Sequence, residues 1–235
     1  MSTIHCRAII ERTDSLSYNV RGFRLKLIEP TTFSFKAGQF VIINIPHQGK
    51  IIKRAYSIAS APYENQTIEL CIQKVEGGIA SGYLWTLKEG NEISVFGPHG
   101  NFLLKEPHDH EPVFMATGTG VAPMRAMIKY LLHQNIPQDI WLLFGCRYEH
   151  ALLYESEFRS LATIRHNFHY IPTVSRPKEW HGETGHIQQT FQKYVTNFSN
   201  KEIYICGWSE VTKSIASDLI SFGVSKEKMH YEEWS

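Results

Sequence analysis

Val113-Phe114-Met115-Ala116-Thr117-Gly118-Thr119-Gly120-Val121-Ala122-Pro123-Met124 reads as a strand, a glycine turn and a helix start in direct succession. Pro123 suits a first helical turn, and glycines let the backbone approach an anionic group with no side chain in the way. Taken alone, Gly118-Thr119-Gly120 departs from the three-glycine dinucleotide fingerprint, and a tight strand-to-helix turn accounts for it as well. The pattern continues downstream. Residues 113–117, 140–145, 168–174 and 202–206 read as buried strands, with 228–231 as a weaker fifth. Between them Met124, Met127, Ile128, Leu131 and Leu132 fall at helical spacing, as do Ile215, Leu219 and Phe222. Strand and helix in alternation predict an α/β doubly wound parallel sheet with right-handed crossovers.

Upstream the period changes. Residues 18–27, 39–45, 67–73 and 92–96 are short extended runs, several alternating apolar with polar. Turn signals such as Lys36-Ala37-Gly38 and Gly97-Pro98-His99-Gly100 separate them, and a helical turn is expected around 81–87. This predicts an antiparallel β-barrel or sandwich. A chain of 235 residues accommodates two compact domains of roughly 100 to 130 residues. The boundaries fall at 1–107 and 112–235, on either side of a Pro- and His-rich connection, and the absence of a long linker predicts a tight interface between them.

A hydrophobic fraction of 43% with 20% charged residues is that of an ordinary globular protein. The net charge of +1 provides no overall field for nucleic acid or an anionic membrane. No basic segment followed by an apolar run opens the chain, and nothing approaches the roughly 18 apolar residues of a membrane span, so a cytoplasmic protein is expected. Cys6, Cys71, Cys146 and Cys206 lie too far apart in sequence for a metal knuckle or a plant-type iron-sulfur loop. His108-Asp109-His110 fits no standard zinc spacing and reads as a solvated loop. Neither a Gly-x-Ser-x-Gly elbow nor paired carboxylates stand out, which leaves hydrolase chemistry without a foothold.

Arg54-Ala55-Tyr56-Ser57-Ile58-Ala59-Ser60 carries a second concentration of chemistry. If 54–58 is a strand, Arg54 and Tyr56 share one face. A guanidinium recognises phosphate oxygens, a tyrosine ring offers a flat apolar surface, and a serine hydroxyl supplies a hydrogen bond. Strands also carry these residue types for packing and solubility alone.

In its letters and its place ahead of the glycine turn, Arg-x-Tyr-Ser-Ile-Ala-Ser resembles the flavin signature of the ferredoxin-NADP reductase superfamily, and Gly-Thr-Gly-Val-Ala-Pro-Met resembles that family's pyridine-nucleotide element. The resemblance spans almost the whole chain. It implies that Arg54 holds the flavin phosphate, that Tyr56 stacks on the ring, and that Ser57 sits by the hydride-accepting atom. Gly77-Gly78-Ile79-Ala80-Ser81 resembles the family's second flavin element, where amides at a helix start meet a pyrophosphate, which favours FAD. By the same resemblance Thr117, Gly118, Thr119 and Gly120 cradle the NAD(P)H pyrophosphate. Arg147 and the pair Cys206-Gly207 sit at carboxyl ends of parallel strands, where open sheets bind ligands. Cys206 is placed near the nicotinamide, although a buried cysteine commonly serves as a small hydrophobe. Ser175 and Arg176 resemble the NADPH-selective members, while Pro177-Lys178-Glu179-Trp180 looks like a stretch of NADH-dependent relatives. NADP is therefore the expected cofactor, with NAD as the alternative. Trp234 stands where many members have a flavin-covering aromatic residue, and it equally suits a final packing role. Glu232 and Glu233 read as solvated.

The resulting expectation is an FAD-dependent NAD(P)H oxidoreductase. Tyr56, Ser57 and Cys206 organise hydride transfer, and the electrons pass to a small redox protein such as ferredoxin or flavodoxin. Two alternatives remain: a flavin reductase releasing free reduced flavin, and a reductase subunit of a larger electron-transfer complex.

Overall fold

The computed structural model describes residues 3–234, which divide into two compact units. The first runs through Leu103 and also takes in Arg125–Tyr130; the second comprises Leu104–Met124 and everything from Leu131 onward.

The first unit holds strands β1 (Ile4–Ser17), β2 (Val20–Glu29), β3 (Phe40–His47), β4 (Lys50–Ser57), β5 (Thr67–Gln73) and β6 (Glu92–His99), with helix α1 (Ile79–Thr86) between β5 and β6. They form an antiparallel sheet in the order β4-β3-β6-β1-β2-β5. Its two outer strands meet through the bridge between Ile58 and Leu70, where the Ala59 N–H donates to the Glu69 carbonyl at 2.8 Å. That junction curls the sheet into a barrel. The period-two pattern fills it: Phe23, Leu25 and Leu27 from β2, Val41, Ile43 and Ile45 from β3, and Ile68, Leu70 and Ile72 from β5 are all buried in one cluster. Gly97-Pro98 is not a turn, as expected from sequence, but lies inside β6. The missing side chain of Gly97 accommodates Val41 at this point, since a Cβ there would stand 3.0 Å from Val41 Cγ1.

The second unit contains β7 (Glu111–Thr117), β8 (Ile140–Cys146), β9 (Phe168–Val174), β10 (Glu183–Thr184), β11 (Lys201–Trp208) and β12 (Met229–Trp234). Between them run α3 (Glu155–Ile164), α4 (Ile187–Tyr194) and α5 (Ser209–Ser221); helix α2 (Val121–His133) follows β7, and its middle belongs to the first unit. All six strands are parallel, in the order β10-β9-β8-β7-β11-β12. Val113, Phe114, Met115 and Ala116 of central β7 are each 0% exposed, as a strand covered on both faces must be. The weak fifth strand expected at 228–231 runs from Met229 to Trp234, because ladder pairing with β11 carries it on through Glu232, Glu233 and Trp234. Among the described residues no helix is long and apolar enough to cross a membrane.

Candidate functional site

Strand β4 carries the expected flavin segment. Its ladder with β3 sets Tyr56 opposite Val41, Arg54 opposite Ile43 and Ile52 opposite Ile45, so all three β4 residues share the face that β3 turns to the core. Tyr56 packs partly buried against that core, whereas Arg54 is exposed and its Nη1 donates to the Lys53 carbonyl at 2.9 Å. Burial pushes the Tyr56 phenol above its ordinary range, with the Arg54 guanidinium opposing. Ser57 is half-buried at the end of the strand. A charge in solvent, a half-covered ring and a hydroxyl thus follow one another on a short rigid element. Ile58, Ala59 and Ser60 are fully buried in the barrel closure, and Ser60 Oγ accepts the Glu69 N–H at 3.0 Å.

Helix α1 begins at Ile79 with Gly78 as its N-cap, and no side chain caps it. Its first turn contains no acidic residue that would fill the place of an anion. Gly77 adopts φ +68° with open space beside it, a conformation glycine holds without strain. Ser81, by contrast, is turned inward, its Oγ accepting the Val75 N–H at 3.0 Å. Its hydroxyl braces the loop, and what it can offer a phosphate is backbone. Ala80 is buried beneath it, while Ile79 is exposed. An uncapped helix start behind two glycines fits a pyrophosphate.

In the second unit the chain reverses direction across the sheet between β7 and β11: β8 and β9 lie on one side, β11 and β12 on the other. Ligands of open parallel sheets bind at the carboxyl ends flanking such a switch point. Thr117-Gly118-Thr119-Gly120 and Cys206-Gly207-Trp208 meet there. A Cβ on Gly120 would stand 2.2 Å from the Cys206 carbonyl oxygen, and one on Gly207 would stand 2.4 Å from Thr117 Oγ1. Both positions are closed to any side chain. Gly118, at φ +54°, faces open space, and Thr119 is partly exposed. Thr117 Oγ1 is buried and has no hydrogen-bond partner, an orphaned polar atom inside a cradle of bare backbone. These features fit a dinucleotide pyrophosphate. The Cys206 side chain is 1% exposed, and burial holds its thiol well above the ordinary range, with Glu232 adding to the effect. What Cys206 presents to the glycine turn is its carbonyl.

Arg147 and Arg176 are exposed at the ends of the neighbouring strands β8 and β9, and the Arg176 N–H donates to the Arg147 carbonyl at 2.8 Å. Ser175 is anchored alongside, its N–H and Oγ both donating to the Cys146 carbonyl at 3.0 and 3.3 Å. Cys146 itself is pushed up to about 12 by burial and by Glu155 and Glu149. Trp234 pairs in register with Trp208, as Glu232 does with Cys206 and Glu233 with Gly207. The β12 terminus therefore stands beside the Cys206-Gly207 turn, with Trp208 52% exposed.

Several charged groups gave no sequence signal because their partners lie far away along the chain. In the first unit Arg125 is 7% exposed and donates to the Ala59 carbonyl at 2.8 Å and to Glu69 Oε2 at 2.6 Å, while Arg24 holds Glu69 Oε1 at 2.7 Å. In the second, Glu202 is 3% exposed and receives Lys105 at 3.0 Å, Lys228 at 3.2 Å and His230 at 2.7 Å. His108 Nδ1 lies 3.0 Å from the Lys105 carbonyl, and His110 Nδ1 2.5 Å from Asp109. Among the described residues no group of three or more histidine, cysteine, aspartate or glutamate side chains is arranged to hold a metal.

Comparison with known proteins agrees with this division. Residues 7–103 match the oxidoreductase FAD-binding domain family, and residues 114–217 match the oxidoreductase NAD-binding domain family. Ferredoxin--NADP reductase B of Sorangium cellulosum is 34% identical over 229 residues, 93% of each chain. The phenol hydroxylase P5 protein of Acinetobacter pittii is 34% identical over 233 residues, and the match spans 96% of this chain but 64% of that protein. A ferredoxin NADP+ reductase from Neisseria gonorrhoeae, solved with bound FAD and NADP, superimposes with a TM-score of 0.85 at 20% identity, covering 99% of both chains. With a barrel that matches the FAD-binding family, a parallel sheet that matches the NAD-binding family, and a full-length relative at this identity, the chain belongs to the ferredoxin-NADP reductase superfamily of FAD-dependent NAD(P)H oxidoreductases.

Proposed function

We propose that the protein oxidises NADPH and delivers the electrons to a small redox protein of the ferredoxin or flavodoxin class, with FAD as its resident cofactor. The observation that carries this reading is the doubly closed glycine cradle of Gly120 and Gly207 beside the orphaned Thr117 hydroxyl. When bound, FAD supplies hydride acceptance and release of electrons singly or in pairs. The protein's own contribution is placement. Residues 1–107 form the flavin domain: Arg54 holds the phosphate, Tyr56 lies against the ring, Ser57 hydrogen-bonds its edge, and the backbone from Gly77 to Ser81 meets the pyrophosphate. Residues 112–235 form the nucleotide domain: Thr117, Gly118, Thr119 and Gly120 take the pyrophosphate, and Cys206 and Gly207 shape the nicotinamide end. Arg147, Ser175 and Arg176 take the 2′-phosphate by charge-assisted hydrogen bonds, which favours NADPH over NADH. A cytoplasmic setting is part of the same reading, and cell fractionation checks it.

Anaerobic addition of NADPH, and separately NADH, to the purified protein tests the proposal through the visible flavin absorbance. The expected result is a yellow protein that bleaches faster with NADPH and then reduces added ferredoxin or flavodoxin. A colourless protein reducing only added free flavin would establish the flavin-reductase alternative. Turnover that appears only with a co-purifying larger subunit would make it a reductase component, the role in which the phenol hydroxylase relative is named.

A further inference from the structure

The loop that follows β9 is held by a residue from a different strand end. After the Arg176 N–H, Pro177 has none to offer, and the next two amides, Lys178 and Glu179, both donate to the carboxylate of Glu149, at 3.4 and 3.0 Å. Glu149 opens the short 3-10 turn Glu149–Ala151 that follows β8. Two successive N–H groups converging on one carboxylate make a clamp, and the Glu179 amide foremost holds the Glu149 carboxyl below its ordinary range. Farther along, other ties hold the loop: Trp180 Nε1 donates to the Glu183 carbonyl at 2.9 Å, the Arg159 guanidinium stands 5.8 Å from the Trp180 ring, Lys193 and Tyr194 donate to Glu183 Oε1 at 2.5 Å, and the Gly185 N–H donates to the Val174 carbonyl at 3.1 Å. At residues 178–179, Glu149 is the anchor from outside the loop's own strand. Glu149 thus joins the end of β8, which carries Arg147, to the segment that carries Ser175 and Arg176.

We propose that Glu149 is a positioning residue for nucleotide selection, its carboxylate clamping residues 175–179 in the shape that presents Ser175 and Arg176, beside Arg147, to the 2′-phosphate of NADPH. This rests on the reading of Ser175 and Arg176 given above. A carboxylate close to a phosphate subsite would ordinarily repel the ligand. Here Arg147, Arg176 and Lys178 stand against Glu149 and Glu179, and the Glu149 carboxylate is turned onto the two amides of residues 178 and 179. Ordering a loop in advance strengthens binding by removing a cost otherwise met when the ligand arrives.

The test is calorimetric binding of adenosine 2′,5′-bisphosphate and of adenosine 5′-monophosphate to the flavin-loaded wild type, Glu149→Ala, Glu149→Gln and Arg176→Ala. Loss of a charge-assisted clamp is expected to weaken the bisphosphate about fivefold in Glu149→Ala. The monophosphate should stay within roughly twofold, and Glu149→Gln, which keeps one acceptor oxygen, should recover part of the loss. In turnover the same variant raises KM for NADPH and leaves kcat and the NADH parameters in place. Equal weakening of both nucleotides, no weakening, or tighter bisphosphate binding in Glu149→Ala would each overturn the positioning role. If Arg176→Ala is selective and Glu149→Ala is not, only the clamp is refuted. If Arg176→Ala is itself unselective, the NADPH reading falls and the clamp with it.

Discussion

The Cα of Gly207 lies so close to the hydroxyl of Thr117 that a Cβ added to it would stand 2.4 Å from Thr117 Oγ1. The two residues end neighbouring parallel strands on either side of the switch point. Gly207→Ala therefore has to push β11 and β7 apart or twist the threonine, at about 1–3 kcal/mol. The expected result is a fall of order tenfold in kcat/KM with NADPH while the flavin content of the purified protein is unchanged. Steady-state kinetics beside the visible spectrum would read both, and loss of flavin in parallel would refute the assignment of this turn to the nucleotide.

Gly120→Ala meets backbone rather than a side chain, since its Cβ would stand 2.2 Å from the Cys206 carbonyl oxygen. A carbonyl in a central strand cannot rotate away. This substitution is expected to lower thermal stability of the second unit as well as nucleotide binding, with a destabilisation of about 2–3 kcal/mol or more. Differential scanning calorimetry should show it more strongly than for Gly207→Ala, and an unchanged Tm would contradict the close packing.

Arg54→Ala separates binding from folding. The side chain is exposed and touches only the neighbouring Lys53 carbonyl among its described hydrogen bonds, so its removal should move the Tm little. Loss of a guanidinium from a phosphate is expected to weaken FAD by about 1.5–3 kcal/mol, roughly ten- to a hundredfold. The ratio of flavin to protein absorbance after dialysis measures this, and full flavin retention would remove Arg54 from the site.

The Arg125–Glu69 pair is the first unit's principal buried ion pair, with side chains 8% and 13% exposed. Burial raises the Glu69 carboxyl, but Arg125 and Arg24 outweigh it and hold the group below its ordinary range. A carboxylate whose folded pKa is depressed contributes stability that is full above its unfolded pKa, near 4.3, and lost as pH falls through the folded value. Denaturant titration should therefore show stability falling below about pH 4.3, and Glu69→Gln should flatten that limb. At pH 7, Arg125→Ala leaves Glu69 buried with Arg24 as its hydrogen-bonded cation and Lys129 as a further positive charge, and is expected to cost about 3 kcal/mol.

Sequence alone conveyed the elements whose chemistry is local. The continuous apolar run at Val113–Ala116 and the alternation at Phe23, Leu25 and Leu27 reflect two different ways of burying a strand, and each is visible in a few consecutive letters. Gly118 and Gly120 were legible for the same reason. Gly97-Pro98 misled, since the same dipeptide serves a turn or a bent strand, and only the approach of Val41 decides between them. Helix α4 and the two-residue strand β10 were missed, α4 because its apolar positions Ile187 and Phe191 are too few to establish a period. Glu69, Glu149 and Glu202 carried no signal at all. Each acquires its role from groups roughly 30 or more residues away, a distance at which spacing says nothing about contact.

The barrel closes where β4 runs on from Tyr56 and Ser57 into the bridge between Ile58 and Leu70. One uninterrupted stretch of backbone therefore fastens the last seam of the sheet and carries the side chains proposed to receive the flavin. On the proposed assignment, flavin bound at Arg54 and Tyr56 would favour the closed barrel by mass action, so the flavin-free protein should be the form more readily cut by a protease.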